Sequence, residues 1–313
     1  MRDAFFGELA ARAAEDETIW ALTGDLGIGL FDEFERVAPG RNLNVGIAEQ
    51  NLVGIAAGLA YAGKTPIAYS IAPFLTSRPH DQVRVDVALA RADVKLVGVG
   101  GGVAYGTLGP THHAIEDIAL MRALPNMTVL TPADPAETAA ATRAMLGHDG
   151  PVYLRLGKNG EPAALPEGSE FRIGRALTVR DGGDVTILSC GPMLTEALAA
   201  ADLLEADGVS ARVVHIGTIK PFDAAGVVGA CAGVGTVVTV EEHTVLGGLG
   251  SAVAETLAEA GCGIPLRRIG MPDCFAHAVG SRDHLIRHYG LDAPAIAAAA
   301  RRAPGSTTER AAA

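Results

Sequence analysis

Apolar positions four residues apart open the chain. Phe5, Leu9 and Ala13 in DAFFGELAARAA predict an amphipathic helix. TIWALTG, TPIAYSIA, VKLVGVG and MTVLTPA follow along the chain as short apolar runs bounded by Gly, Pro or Asp. Unbroken apolar runs of this length are the pattern of strands buried on both faces. Between them, IAEQNLVGIAAGLAYA, HDQVRVDVALA, AIEDIALMRAL and PAETAAATRAML carry helical spacing. Such alternation predicts a parallel sheet with helices on both faces.

Residues 158–183 break the pattern with Gly, Pro and charge, and are expected to form a linker with at most one short strand. A second α/β pattern then begins. DVTILSCG, SARVVHIG, VGTVVTVEE and IPLRRIG read as strands, MLTEALAAADLLEADG and GLGSAVAETLAEAG as helices, and further helices are expected after Ser281 and Asp292. The chain is thus expected to be α/β with two domains, 1–157 and 184–302, each a mostly parallel sheet flanked by helices. The tail, 303–313, is expected to be disordered.

Bulk properties narrow the classes. The chain has 313 residues, 25 Lys and Arg against 36 Asp and Glu, and a formal net charge of −11. With no basic run and 4% aromatics, nucleic acid and anionic membranes are poor partners. Mean hydropathy is +0.25, yet Gly, Pro or charge interrupts every apolar stretch well short of the ~20 residues of a membrane span. The N-terminus carries acids early and no sustained apolar run, so no secretory signal is expected. Cys190, Cys231, Cys262 and Cys274 have no metal spacing and fit free thiols in a reducing compartment. A cytoplasmic protein is expected.

Glu49 stands out. It lies in NVGIAEQNLVGIAAGLAYAG, otherwise built mainly of small and apolar residues, at the start of a predicted helix. An acid in a first turn can simply cap the helix, with Gly46 as N-cap. Gly54 and Gly58, four apart, clear one stripe of that helix for close approach by another backbone.

GIAEQNLVGIAAGLA, then APFLTSRPHDQVRVDV, GPTHHAIEDIALMRALPNMTVLTPAD and GPVYLRLGK together resemble the C-terminal half of transketolases and 1-deoxyxylulose-5-phosphate synthases. The resemblance runs from about Arg2 to Asp292. It implies a pyrimidine-binding domain followed by a transketolase C-terminal domain, with the family's first domain, bearer of the GDG-type Mg²⁺ and diphosphate motif, absent from this sequence. It further implies thiamine diphosphate as cofactor, Mg²⁺ ligands on an N-terminal partner subunit, and an α₂β₂ assembly in which the Gly54/Gly58 helix packs on its symmetry mate.

The resemblance also gives residues their roles. Glu49 would hydrogen-bond a ring nitrogen of the aminopyrimidine and favour its imino tautomer, a role suited to a carboxyl in an apolar site. Phe74 would stack on that ring; a second family aromatic is Ile71 here. Asp25 and Leu26 would lie near the thiazolium. His112 would face substrate as an acid–base or hydroxyl-binding group, on a glycine-rich loop that permits positive φ. Arg2 and Lys158 match family cations of the substrate site. His113 is expected to pack, and Glu116 and Asp117 to be solvated or to cap. His80, His215, His243, His277, His284 and His288 show no ligand spacing.

Departures cluster on the substrate side. The family's hydroxyl-binding Asp is Leu108, and its phosphate-contacting His and Ser fall on Gly100 and Gly29. Lys158 keeps the charge of the usual Arg but loses the bidentate fork. The expectation is a split transketolase-like transferase moving a two-carbon ketol or acyl unit to a non-standard acceptor. A β-type subunit of a 2-oxoacid dehydrogenase or acetoin-forming enzyme, or a non-catalytic regulatory half-enzyme, are the other readings open to the sequence.

Overall fold

The structure, a computed structural model, describes residues 1–158 and 160–301; the expected tail lies outside them. Among the described residues there are twelve strands: β1 (Ile19–Thr23), β2 (Asn42–Asn44), β3 (Thr65–Ile71), β4 (Lys95–Val99), β5 (Thr128–Leu130) and β6 (Val152–Leu156), then β7 (Leu177–Arg180), β8 (Val185–Ser189), β9 (Ala211–His215), β10 (Thr218–Lys220), β11 (Thr236–Thr244) and β12 (Leu266–Met271). They form a seven-stranded sheet in the order β10-β5-β6-β4-β3-β1-β2 and a five-stranded sheet in the order β12-β11-β8-β9-β7. Every pairing is parallel except two, β10 on β5 and β7 on β9. Mostly parallel sheets flanked by helices were legible in the apolar runs. β10 was not: this short strand from the second half completes the edge of the first half's sheet.

The first helix, Arg2–Glu15, buries Phe5, Phe6, Leu9, Ala10 and Ala13, the stripe its spacing predicts. Its phenylalanines meet Phe31 and Tyr69 in an aromatic cluster with ring centroids 4.8–6.2 Å apart. The helix Pro135–Leu146 starts on Asp134, whose carboxylate accepts the Glu137 amide at 2.9 Å. The same side chain accepts from the amides of Ala164 and Leu165, both at 3.0 Å. The expected linker is therefore tied down over part of its length, and β7 is its one strand.

A buried polar network joins the two halves. Arg155, on β6, donates to Asp117 Oδ2 at 2.8 Å and to the carbonyls of Ala114 and Glu242, both at 2.9 Å. Tyr153 donates its hydroxyl to the same Asp117 oxygen at 2.6 Å. Asp117 is fully buried, which corrects the expectation of a solvated or capping acid. It is the counter-ion without which Arg155 could not be buried. His215 and Glu137 make a second buried contact at 2.8 Å, and the Ala119 amide donates to His243 Nε2 at 3.2 Å. Among the described residues no helix is long and apolar enough to cross a membrane, and all four cysteines are free.

Candidate active site

Parallel strands deliver their following loops to one edge, the usual place for a site in an α/β fold. Four such loops meet here: 24–31 after β1, 45–48 after β2, the short helix Ala72–Ser77 after β3, and 100–116 after β4. The loop after β1 holds Asp25 at φ +58, a left-handed conformation uncommon for a non-glycine residue. Reciprocal bonds stabilise it: the Asp25 amide donates to Asn44 Oδ1 at 3.0 Å, and Asn44 Nδ2 returns to Asp25 Oδ1 at 2.9 Å. Leu26 is half-buried behind it and accepts the Thr23 hydroxyl on its carbonyl.

Glu49 begins the helix Glu49–Tyr61, with Ala48 as N-cap and no side-chain cap bond. Its carboxylate bonds side chains and not the helix's own amides, and it is 3% exposed. Arg78 Nη1 donates to Oε2 at 3.0 Å, and the Ser70 hydroxyl lies 3.5 Å from Oε1. Gly24 keeps the space beside it open, since a Cβ there would stand 3.8 Å from Glu49 Oε1 and 3.9 Å from Ser70 Oγ.

Phe74 is half-buried on the Ala72–Ser77 helix and is no core residue. One of its contacts is the Arg78 guanidinium, 4.1 Å from the ring centre. Another is His112, edge-on with centroids 5.1 Å apart. Glu49, Phe74 and His112 are thus brought together, with Arg78 binding the first two. Ile71 ends β3 half-buried.

The loop after β4 opens on three consecutive glycines, and each yields to a particular neighbour. A Cβ on Gly100 (φ +79) would meet the Tyr105 ring at 2.1 Å, one on Gly101 the Arg155 guanidinium at 2.7 Å, and one on Gly102 (φ +65) the Glu242 side chain at 2.3 Å. Beyond them, Leu108 sits on the turn Gly106–Leu108, half-exposed, and the Thr111 hydroxyl lies 3.0 Å from His112 Nδ1. His113 is buried, as expected.

Tyr105 is a site residue that the motifs did not reveal. Its ring centroid lies 6.4 Å from that of His112, and Lys158 Nζ approaches the ring centre at 5.1 Å. Burial raises the phenol's pKa, with the Arg2 charge pulling the other way, so the hydroxyl remains a donor at neutral pH. Arg2 Nε is buried without a hydrogen-bond partner, with Asp3 at 3.8 Å. His112 and Lys158 thus flank the Tyr105 ring and the Arg2 charge acts on its phenol, so the four form one wall. Arg78 was the other omission, hidden in RPHD because no periodicity marks it.

A buried carboxylate, an aromatic face and a glycine-floored gap fit the aminopyrimidine end of thiamine diphosphate. Glu49 and Phe74 would hold that end; when bound, the cofactor supplies the carbanion chemistry. Among the described residues no cluster of three or more His, Cys, Asp or Glu is arranged to hold a metal ion.

Comparison with known proteins shows the family. The family model for the transketolase pyrimidine binding domain matches residues 1–161, and that for the transketolase C-terminal domain matches 174–296. The chain belongs to the transketolase family. It is 44% identical over 301 residues to a 6-deoxy-6-sulfo-D-fructose transketolase subunit from a Clostridium strain, covering 96% of this chain and 93% of the relative. It is 39% identical over 298 residues to an apulose-4-phosphate transketolase subunit of Phocaeicola vulgatus, covering 94% of each. A solved structure described as a split gene transketolase, inactive β4 tetramer, superposes with a TM-score of 0.89 at 40% identity, covering 96% of this chain and 97% of that one. This chain accordingly corresponds to the C-terminal subunit of a split, thiamine-diphosphate-dependent transketolase-like transferase.

Proposed function

We propose that the chain, joined to an N-terminal partner subunit, transfers a two-carbon ketol unit from a ketose that ends in an oxyanion group and is not an ordinary pentose phosphate. One observation carries this: the wall of Arg2, Tyr105, Leu108, His112 and Lys158 offers cations and a phenol but no carboxylate for a sugar hydroxyl. Tyr105 fills the space over Gly100, where the family's phosphate-contacting His would stand. Such a wall suits a terminal anion, and the relatives named for sulfonated and phosphorylated ketoses support that choice.

In this reading Glu49 sets the protonation of the aminopyrimidine, Phe74 stacks on it, and Asp25 and Leu26 border the thiazolium. His112 moves protons at the substrate oxygens, a task for which an imidazole is the usual side chain. The partner subunit supplies the diphosphate and Mg²⁺ ligands, and the assembly is α₂β₂. Gly54 and Gly58 are exposed, and no described residue comes within 4 Å of a Cβ built on either, which suits packing on a second copy. The free thiols suit a cytoplasmic location.

The test is reconstitution with the partner subunit, thiamine diphosphate and Mg²⁺. 6-Deoxy-6-sulfofructose, apulose 4-phosphate and xylulose 5-phosphate are offered in turn with an aldose phosphate acceptor, and products are read by mass spectrometry. Transfer from either of the first two, with poor transfer from xylulose 5-phosphate, is the expected result. The proposal fails if xylulose 5-phosphate with ribose 5-phosphate turns over at ~10⁴ M⁻¹s⁻¹ or above in kcat/KM, or if the chain is active alone.

A further inference from the structure

The loop that carries His112 is anchored from the other half of the molecule. An antiparallel bridge closes it at the base: the Gly102 amide donates to the Ala114 carbonyl at 2.9 Å, and the Ala114 amide returns to Gly102 at 2.8 Å. Just inside that bridge, the Val103 amide leaves the loop's own hydrogen bonding and donates to Glu242 Oε1 at 2.8 Å. Glu242 lies on β11, 2% exposed. Its other oxygen takes two bonds from Arg282, Nε at 2.9 Å and Nη2 at 2.7 Å, and its carbonyl takes one from Arg155. A buried carboxylate held by a forked guanidinium is a rigid acceptor, and it points at a backbone position whose neighbour, Gly102, leaves no room for any side chain.

We propose that Glu242 is a positioning residue for the reaction, fixing the loop 103–113 so that His112 and Tyr105 face the substrate. The C-terminal half then contributes to chemistry without touching substrate. Three features set this carboxylate apart from an interdomain tie. It bonds loop backbone rather than another domain-core group, it does so at the first residue inside the bridge, and its own orientation is fixed by Arg282. The proposal rests on the reading of His112 given above.

The test uses the complete complex with its partner subunit and cofactor. Glu242→Ala should let the Val103 amide exchange with deuterium faster and lower kcat about 10²-fold, the scale of a ~1 Å misplacement. The dissociation constant for thiamine diphosphate should not move, because Glu49 and Phe74 stand on other elements. Glu242→Gln keeps one acceptor for Val103 but sets its NH2 against the Arg282 donors, so it should restore part of the lost kcat. Adding Glu242→Ala to the double variant His112→Ala/Tyr105→Phe should cost no more than that double variant alone, since Glu242 acts through those two residues. Multiplying costs would overturn the role of Glu242 while leaving His112 in place. An unchanged kcat in His112→Ala itself would overturn the reading of His112 and the inference built on it. If Glu242→Ala does not assemble, a partial loss of kcat together with faster Val103 exchange in Glu242→Gln is the expected pair, and a severe kcat loss with Val103 still protected would overturn the proposal.

Discussion

The Arg78 guanidinium holds the Glu49 carboxylate at 3.0 Å while lying 4.1 Å from the centre of the Phe74 ring. It therefore engages the two side chains proposed to receive the aminopyrimidine, one through a hydrogen bond and one through a ring face. Arg78 is about half exposed, so its ion pair is worth only about 0.2–1 kcal/mol. Arg78→Ala should thus tighten thiamine diphosphate binding to the assembled complex by up to about fivefold, read by titration calorimetry. Weaker binding would show that Arg78 holds the cofactor and does not compete with it.

Glu49→Gln preserves size and burial but removes the acid. Assembly with the partner should survive, and turnover should fall by ~10²–10⁴-fold, the usual cost of losing a positioned proton transfer. Deuterium exchange at the thiazolium carbon is the direct measurement. An exchange rate near wild type would remove Glu49 from this role.

Leu108 presents an apolar, half-exposed side chain on the loop that bears His112. Leu108→Asp would give a sugar hydroxyl a partner. Transfer from xylulose 5-phosphate to ribose 5-phosphate should improve in kcat/KM by up to the ~1–3 kcal/mol of one buried polar pair. No gain would mean that this position does not face substrate.

His243 is a neutral imidazole locked between the halves. Its Nδ1 donates to the Thr244 carbonyl at 2.7 Å and its Nε2 accepts the Ala119 amide at 3.2 Å. Burial lowers its pKa to about 4. Between pH 4 and about 6.5 the unfolded chain therefore binds the extra proton, so this contribution is complete above pH 6.5 and drains away as pH falls toward 4. Glu241, raised by burial to about 7, acts oppositely where the windows overlap. Glu241 Oε2 lies 3.7 Å from His243 Nδ1, so the comparison with His243→Gln is made in a Glu241→Gln background, which removes that term. Denaturant melts should show Glu241→Gln losing on the order of 3 kcal/mol more than the double variant from pH 7 to pH 4; parallel pH profiles would mean the imidazole is not held neutral.

Apolar period and length made most elements legible, because strands buried on both faces and helices with one buried stripe leave different marks in sequence. Glu49 was legible for a related reason: a charge amid small apolar residues asks for a partner. Asp117 was misjudged because an acid opening a helix looks like a cap, while its partner Arg155 sits inside GPVYLRLGK, a stretch noted only for its family resemblance. Tyr105 and Arg78 left no mark, since each gains meaning from residues distant in sequence, Lys158 in one case and Glu49 in the other. β10 escaped because three residues are too few to show a period.

That short strand has a consequence for how the molecule can be taken apart. Thr218 and Lys220 pair with Leu130 and Val129 across the outer edge of the seven-stranded sheet, and the apolar core beneath runs on through Leu188, Val214, Ile219 and Val253. A fragment cut between the halves would leave the β5 edge as an open template for wrong partners, and would bare the core that the second half covers. The two sequence modules are therefore expected to behave as one cooperative unit, melting in one transition and aggregating when expressed as separate pieces.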